Sequence, residues 1–216
     1  MIEADARRVA ERITTDFTTI RNPDHWIWRQ TPAAKVIDCV LSLRKKYATV
    51  VVPRVREFVE RHPTVRSCDD LLALIAEHES PAAFIADQLR MRSPDKGAAI
   101  AGVAAYLVDM QQRFDHADEE QRLQAWAQWA RPGDYLAVDV HRFGLAGFQY
   151  LRMLFGASTV KPDVHILNYL TEVLGRRVTD VQAVYILERA AELAGIDAIK
   201  LDVTIWERGS GHSLPS

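Results

Sequence analysis

The sequence predicts an all-α protein, and three observations lead to this prediction. Helix start signals recur along the chain, each a Ser or Thr followed at once by Pro or three residues later by Asp or Gln. Between these signals, apolar residues recur at helical spacing, as in Ile166, Leu170 and Val173. The strand-like run at 50–52 is short and is followed at once by Pro53, which argues against a sheet.

Each predicted helix follows from its own signals. A hydroxyl at the start of a helix caps the free amides of its first turn, and a Pro there loses no needed hydrogen bond. Five helices open in this way: Thr31–Pro32, Ser67 with Asp70, Ser80–Pro81, Ser93–Pro94, and Thr179 with Gln182. Glycine and proline separate the later helices at 131–133, 156 and 175. The predicted helices cover roughly 4–20, 32–46, 50–61, 68–77, 81–90, 94–112, 118–130, 144–155, 164–174, 180–194 and 198–208.

Length and composition favour one compact multi-helix domain. The chain has 216 residues, of which 48% are hydrophobic and 26% charged, and this is ordinary globular usage. We expect a single helical domain over 1–208 and a flexible tail over 209–216, where Gly, Ser and Pro prevail.

Charge and cysteine content narrow the function classes. The formal net charge of −2 gives no global basic field, so any contact with nucleic acid must use a local basic face. Cys39 and Cys68 form no cluster, which favours a reduced, cytoplasmic setting. There is no charged-then-apolar leader and no apolar run of about 18 residues, so the sequence predicts neither secretion nor membrane insertion.

The most distinctive motif is the stretch 140–148, with a single acid placed downstream of it. Gly144 and Gly147 lie where a tight turn opens an apolar helix, and Gly144 is expected to supply the positive-φ corner of that turn. Asp163 follows 19 positions after Gly144, after a Pro and at the start of the next predicted helix. An Asp in this position is also a good N-cap, and that simpler role stays open.

This order of turn, helix and acid resembles the helix-hairpin-helix (HhH-GPD) DNA glycosylase superfamily. The similarity extends over residues 32 to 208, and it implies that 1–30 and 160–208 form a second helical lobe. It also implies binding of double-stranded DNA through the hairpin, because backbone amides at such a turn meet phosphate oxygens. The residues it assigns to DNA binding are Arg142, Phe143, Gly144, Leu145, Ala146, Gly147 and Lys161.

The resemblance further implies base-excision chemistry. In this family the Asp that matches Asp163 assists departure of a damaged or mispaired base, and a fixed carboxylate stabilises the cationic transition state. Trp206, in a closing helix similar to that of some relatives, is a candidate wall of the base pocket. Such a protein would be cytoplasmic, and associated with the nucleoid when bound to DNA.

Three departures from the family pattern refine this expectation. Bifunctional members carry a nucleophilic Lys at the position of Ala146, so this chain resembles the monofunctional glycosylases, which leave an abasic site. With no Cys after Cys68, the iron–sulfur cluster of some relatives is not expected, although the resemblance allows a monovalent cation at the hairpin. Arg142 occupies a position where the family usually has Gly.

Two alternative functions stay open. A non-catalytic protein could retain the fold and bind DNA, and Arg142 together with the acidic total favours that reading. Asp139 with His141 and Asp163 with His165 repeat an Asp-x-His pattern, which would suit an all-α metal-dependent hydrolase if all four met. The lesion and the oligomeric state do not follow from the sequence.

Overall fold

The computed structural model describes residues 1–22 and 26–211, and within these ranges the protein is all-α, with no β-strand. Short 3₁₀ helices cover Trp26–Arg29 and Pro132–Val138, and one π-helical turn covers Tyr47–Val51. The α-helices are α1 (Ile2–Asp16), α2 (Pro32–Ser42), α3 (Val52–Arg61), α4 (Cys68–Ala76), α5 (Pro81–Gln88), α6 (Pro94–Gln111), α7 (Glu119–Trp129), α8 (Leu145–Leu154), α9 (Val164–Leu174), α10 (Asp180–Ala194) and α11 (Ala198–Ser210).

Four of the five predicted start signals form the expected caps. Capping boxes open α4 and α10, where Ser67 pairs with Asp70 and Thr179 with Gln182. Ser80 and Thr31 also accept a hydrogen bond from a first-turn amide. Ser93 makes no such bond, and α6 begins there with Pro94 alone.

Helix α2 ends four residues earlier than the sequence predicts. The Lys96 ammonium donates to three carbonyls at its end, those of Val40 (2.6 Å), Leu41 (3.2 Å) and Leu43 (3.0 Å). Arg44 then adopts φ 58°, which turns the chain out of the helix. A cation at the C-terminus of a helix satisfies carbonyls that have no partner within the helix. This contact between α6 and α2 could not be inferred from local spacing.

The buried apolar residues form two clusters. The first core is built from 26–157 and contains an aromatic group, in which Trp126 is in edge contact with Tyr106, Phe148 and Phe155. The second core joins the N-terminal helix to Leu145 and to residues from 160 to 205. Helix α8 lies between the cores, since its Phe148, Leu151 and Leu154 belong to the first and its Leu145 to the second. The division of the chain into two lobes stays a prediction.

Helix α1 packs along α10, far from it in sequence. Its apolar face is Ala6, Val9, Ala10 and Ile13, and these residues are buried in the second core. At the rim, Arg189 donates to Glu3 at 2.9 Å, but both side chains are exposed, so this ion pair contributes little. The apolar contact therefore holds α1 in place.

At the C-terminus, α11 extends to Ser210, so Gly209 and Ser210 are helical rather than part of the predicted tail. Residues 212–216 of that tail lie outside the described residues. Within 1–22 and 26–211, no helix is both long and apolar enough to span a membrane.

Candidate functional site: the hairpin and the Asp163 helix

The hairpin turn is formed differently from the prediction. Phe143 N donates to Val140 O at 3.0 Å, and Arg142 occupies the left-handed corner with φ 63°. Gly144 has φ −93° and ψ −169°, an extended conformation that any residue adopts. The expectation that Gly144 supplies the positive-φ corner is therefore wrong. The turn closes two residues earlier, at the position where the resembling family usually has Gly.

Gly144 is instead the N-cap of α8, and it has no side chain with which to cap that helix. A Cβ built on Gly144 would meet no heavy atom within 4 Å, so open space surrounds this end of α8. First-turn amides carry the positive end of the helix dipole. The start of α8 is thus sterically accessible to an anion.

Three of the residues assigned to DNA binding point into the protein. Phe143 and Leu145 are only 4% and 6% exposed. A Cβ on Gly147 would lie 3.0 Å from the Phe143 ring, and the Gly147 carbonyl accepts a hydrogen bond from Cys39 Sγ. The missing side chain of Gly147 thus leaves room for the Phe143 ring against α8. At these three positions only the backbone could meet DNA, while Ala146 is half-buried.

A basic loop lies beside the hairpin, which the sequence alone did not reveal. Arg44, Lys45 and Lys46 are all exposed, and the run reads locally as a solvated helix end. Leu43, directly before these cations, lies close to the first turn of α8. Its Cδ2 atom is 3.4 Å from the position that a Cβ on Gly147 would occupy. We call Arg44–Lys46, Arg142 and the start of α8 the basic surface.

Arg142 is partly neutralised by a neighbour on α6. Its guanidinium lies 2.6 Å from Asp95 Oδ2, and both side chains remain about half-exposed. An exposed pair of this kind is weak and exchanges readily for another anion. The ion pair orients the Arg142 side chain at the tip of the turn, and its guanidinium remains accessible to a phosphate.

Asp163 is the N-cap of α9, as its position after Pro suggested. One oxygen, Oδ1, accepts from the amides of His165 (2.9 Å) and Ile166 (3.2 Å). No donor in the described part of the chain reaches the other oxygen, Oδ2. The carboxylate is therefore held by Oδ1, while Oδ2 can still accept a hydrogen bond or face a positive charge.

Asp202, on α11, is a second carboxyl close to Asp163, and no local sequence pattern marks it. Its Oδ1 accepts from Lys161 N at 2.7 Å, and Asp163 N in turn donates to Lys161 O at 2.7 Å. Burial raises the pKa of Asp202 to about 8, and the charge of Asp163 adds to the rise. Near neutral pH, Asp202 is thus largely protonated.

Lys161 faces the protein rather than solvent. Its ammonium lies 4.2 Å from the centre of the Tyr150 ring, on α8. The hydroxyls of Tyr150 and Tyr47 both donate to Asp38, each at 2.8 Å. Burial raises the pKa of Asp38 to about 6, although both hydroxyls oppose the rise. Lys161 therefore belongs to a polar cluster between α2, α8 and α11, which joins the two cores.

Trp206 lies close to the start of α9, where its ring centre is 6.3 Å from that of His165 in an edge-on arrangement. It is half-buried, and Gly209, one turn further along α11, packs against the same histidine. Among residues 1–22 and 26–211, no three His, Cys, Asp or Glu side chains are grouped to hold a metal ion. The two Asp-x-His pairs do not form such a group there.

A cavity of about 500 Å³ opens between α7, α8 and α10, and Asp163 is not among the residues that line it. The hairpin residues do not line it either. The space that a flipped base would need beside Asp163 is therefore not this cavity.

Comparison with known proteins gives a family but no characterised relative. No curated protein and no solved structure matches the chain. A family model matches residues 23–210, which leaves only α1 and the ends outside it. The chain belongs to the family described as "Domain of unknown function (DUF8548)".

Proposed function

We propose that this protein is a monofunctional DNA glycosylase of the helix-hairpin-helix type, which hydrolyses the N-glycosidic bond of a damaged or mispaired base. One observation carries the proposal: Asp163 is anchored to the start of α9 through Oδ1 alone. A carboxylate fixed in this way can direct its second oxygen at a developing positive charge without reorganising.

The chemistry follows from that anchoring. As the base departs, positive charge builds on the sugar ring, and Asp163 Oδ2 stabilises it electrostatically. The N-glycosidic bond breaks, water forms a bond to the anomeric carbon, and one proton of that water ends on the released base. Asp202 is largely protonated below a pH of about 8, so it places no second negative charge beside Asp163.

The basic surface supports the DNA-binding part of the proposal. It combines the uncapped start of α8 with the exposed cations of Arg44–Lys46 and the tip residue Arg142. Backbone amides and cations together are the usual ligands of DNA phosphates. A local surface of this kind is compatible with a net charge of −2.

A second candidate function is DNA binding without catalysis. It is favoured by the cavity, because the space of about 500 Å³ is lined by residues other than Asp163. It is also favoured by the N-cap bonds of Asp163, which would suffice to explain an Asp at this position.

One experiment separates the two functions. The protein is incubated with duplexes that each carry one lesion or mismatch, and alkali then converts any abasic site into a strand break. We expect breaks on at least one substrate and none without alkali. Duplex binding with no breaks on any substrate would favour the non-catalytic function.

Borohydride trapping in the same assay tests the monofunctional assignment. The family's nucleophilic position is Ala146, so we expect no covalent protein–DNA adduct. Lys161 is an amine to test if an adduct forms, because its ammonium lies over Tyr150, one turn from Ala146 on α8. A trapped adduct that disappears in Lys161→Met would assign it as the nucleophile and overturn the monofunctional mechanism.

A further inference from the structure

The cavity between α7, α8 and α10 lies where the two cores meet. Its floor includes Arg152 of α8, from a helix of the first core, and its wall includes Glu188 and Ala191 of α10, from the second. A cavity of about 500 Å³ is within the range of small-molecule sites, and such sites are frequent where two packed units adjoin.

The unusual residue in this cavity is Arg152. Its side chain is buried, with only 5% of the residue exposed. Its Nε donates to Ala127 O at 3.0 Å and its Nη1 to Gln149 Oε1 at 2.8 Å, so both bonds go to neutral acceptors. Among the residues that the structure describes, it makes no ion pair.

A buried guanidinium without a counter-charge is costly, and buried arginines are almost always paired. Glu188 is the carboxyl with the largest electrostatic effect on Arg152, but it makes no ion pair with the guanidinium. Its Oε1 accepts a bond of 2.6 Å from the Thr159 hydroxyl, and burial raises its pKa. Glu188 therefore offsets the charge of Arg152 from a distance and leaves room for another anion.

A second arginine lies at the mouth of the cavity. Arg131 is exposed, and its Nη1 donates to the carbonyls of Gln128 and Trp129 at the end of α7. These bonds fix the position of the side chain. A guanidinium presents five donors in a planar fork, so Nη2 and Nε of Arg131 can still meet a ligand.

We infer that this cavity binds a small organic anion, whose carboxylate or phosphate group pairs with Arg152 and Arg131. The organic part of the ligand lies against the apolar wall formed by Ala157, Ala191 and Ile196. Guanidinium groups bind both carboxylate and phosphate through paired hydrogen bonds, so the anionic group is the shared requirement. The site is separate from Asp163 and does not depend on the proposed glycosylase activity.

The test is a thermal-unfolding titration at fixed ionic strength with three probes that share one ring: benzoate, phenyl phosphate and benzyl alcohol. A ligand that binds only the folded protein raises the unfolding midpoint in a saturable way. We expect this rise with benzoate or phenyl phosphate, and the stronger of the two identifies the anionic group. The neutral alcohol should produce no saturable rise.

Two variants test the assignment, because they should change the affinity for the anion in opposite directions. Arg131→Ala removes an exposed cation and should weaken the anion about tenfold, as expected for a lost charge-assisted hydrogen bond. Glu188→Gln removes the competing negative charge, keeps an acceptor for Thr159, and should tighten binding. Arg66→Ala, an exposed cation outside the cavity, should leave the affinity unchanged.

The inference is overturned if neither anion gives a saturable rise, or if the neutral probe binds as well as the anions. It is also overturned if Arg131→Ala and Glu188→Gln bind the anion with the affinity of the unsubstituted protein. Neither variant removes Arg152, whose buried bond to the Ala127 carbonyl helps to hold α8 against α7.

Discussion

At the scale of single residues, the cap made by Asp163 and its proposed catalytic role use different oxygens. Its Oδ1 caps α9, while Oδ2 is the oxygen proposed to face the reacting sugar. Asp163→Asn keeps an acceptor for the cap and removes the charge. We expect base excision to fall at least about a hundredfold, because a loss of roughly 3 kcal/mol of transition-state stabilisation has that effect. Single-turnover excision on a responsive duplex measures it.

Duplex affinity and the unfolding midpoint of Asp163→Asn provide the comparison. Affinity should stay equal or rise slightly, since one negative charge leaves the DNA-facing side. Stability should change by no more than about 1 kcal/mol, because Asn also caps well. Full excision activity in the folded variant would contradict the proposed mechanism.

Substitution of Gly144 tests whether the start of α8 binds phosphate, because one variant should raise stability and lower duplex affinity. Because its φ is −93° and a Cβ would meet nothing within 4 Å, larger residues fit there without strain. Gly144→Asp should cap α8 and stabilise the fold slightly, while its carboxylate competes with a phosphate for the same amides. We expect duplex affinity to fall by on the order of tenfold.

Gly144→Asn is the matched control, since it caps without charge. It should bind the duplex more tightly than the Asp variant at equal salt. Equal affinities for the two variants would show that no phosphate lies at this helix end.

Asp202 predicts a pH dependence of stability. Its pKa is raised to about 8, whereas an Asp in an unfolded chain titrates near pH 4. Between these values the folded protein keeps a proton that the unfolded chain releases, so the contribution of Asp202 to stability is largest below about pH 4 and is lost as pH rises to about 8. Asp38, with a pKa raised to about 6, contributes the same trend over a narrower range.

Asp202→Asn should therefore flatten this decline and raise the unfolding midpoint at pH 8 by a few degrees, as measured by calorimetry across pH. Its amide oxygen can still accept from Lys161 N. Asp115→Asn, at an exposed loop position, is the control and should leave the slope unchanged. An unaltered slope in Asp202→Asn would refute the assignment of the pH dependence to this carboxyl.

At the scale of helices, the contact between α5 and α6 depends on Gly97. A Cβ there would lie 2.2 Å from the backbone oxygen of Pro81, so one helix would have to move. We expect Gly97→Ala to cost about 1–3 kcal/mol, as overpacking of a close contact does. Denaturant unfolding measures the loss. Gly133→Ala, where nothing lies within 4 Å of the new atom, should be nearly neutral.

Helix starts were predictable because they depend on neighbours in sequence. The capping boxes at Ser67 and Thr179 satisfy amides three residues away, so spacing alone identifies them. The end of α2 was not predictable, because it depends on Lys96, more than fifty residues later. The 3₁₀ helix Pro132–Val138 was also missed, since such short turns have no apolar periodicity.

The same distinction applies to the candidate site. Asp163 was identifiable because an Asp after Pro at a helix start is a local pattern. The roles of Asp202, of Asp38 and of the loop at 44–46 arise from packing between helices far apart in sequence. The left-handed corner at Arg142 was assigned to Gly144 instead, because glycine is the residue that usually adopts positive φ.

At the scale of the whole molecule, DNA binding should depend on salt through the basic surface. Each phosphate contact that a cation makes releases counterions, and affinity falls accordingly as salt rises. Replacing Lys45 and Lys46 by Ala should reduce the slope of log affinity against log salt by about 2. Replacing Arg7 and Arg8 on α1 by Ala is the control, since it removes the same charge outside the basic surface and should change the slope less. An equal change in slope for both pairs would place the DNA contact outside the basic surface.

The docking of α1 on α10 has a consequence for how the chain folds during synthesis. The first core is built from one continuous stretch, so the ribosome delivers all of it before residue 160. The second core needs α1 together with α10 and α11, which follow it by more than 160 residues. The apolar face of α1 therefore lacks its partner helices until synthesis has passed residue 205, and contacts between segments so far apart in sequence form slowly. In a finished chain, the amides of α1 and α10 should accordingly exchange hydrogen through one shared opening event, distinct from that of the first core.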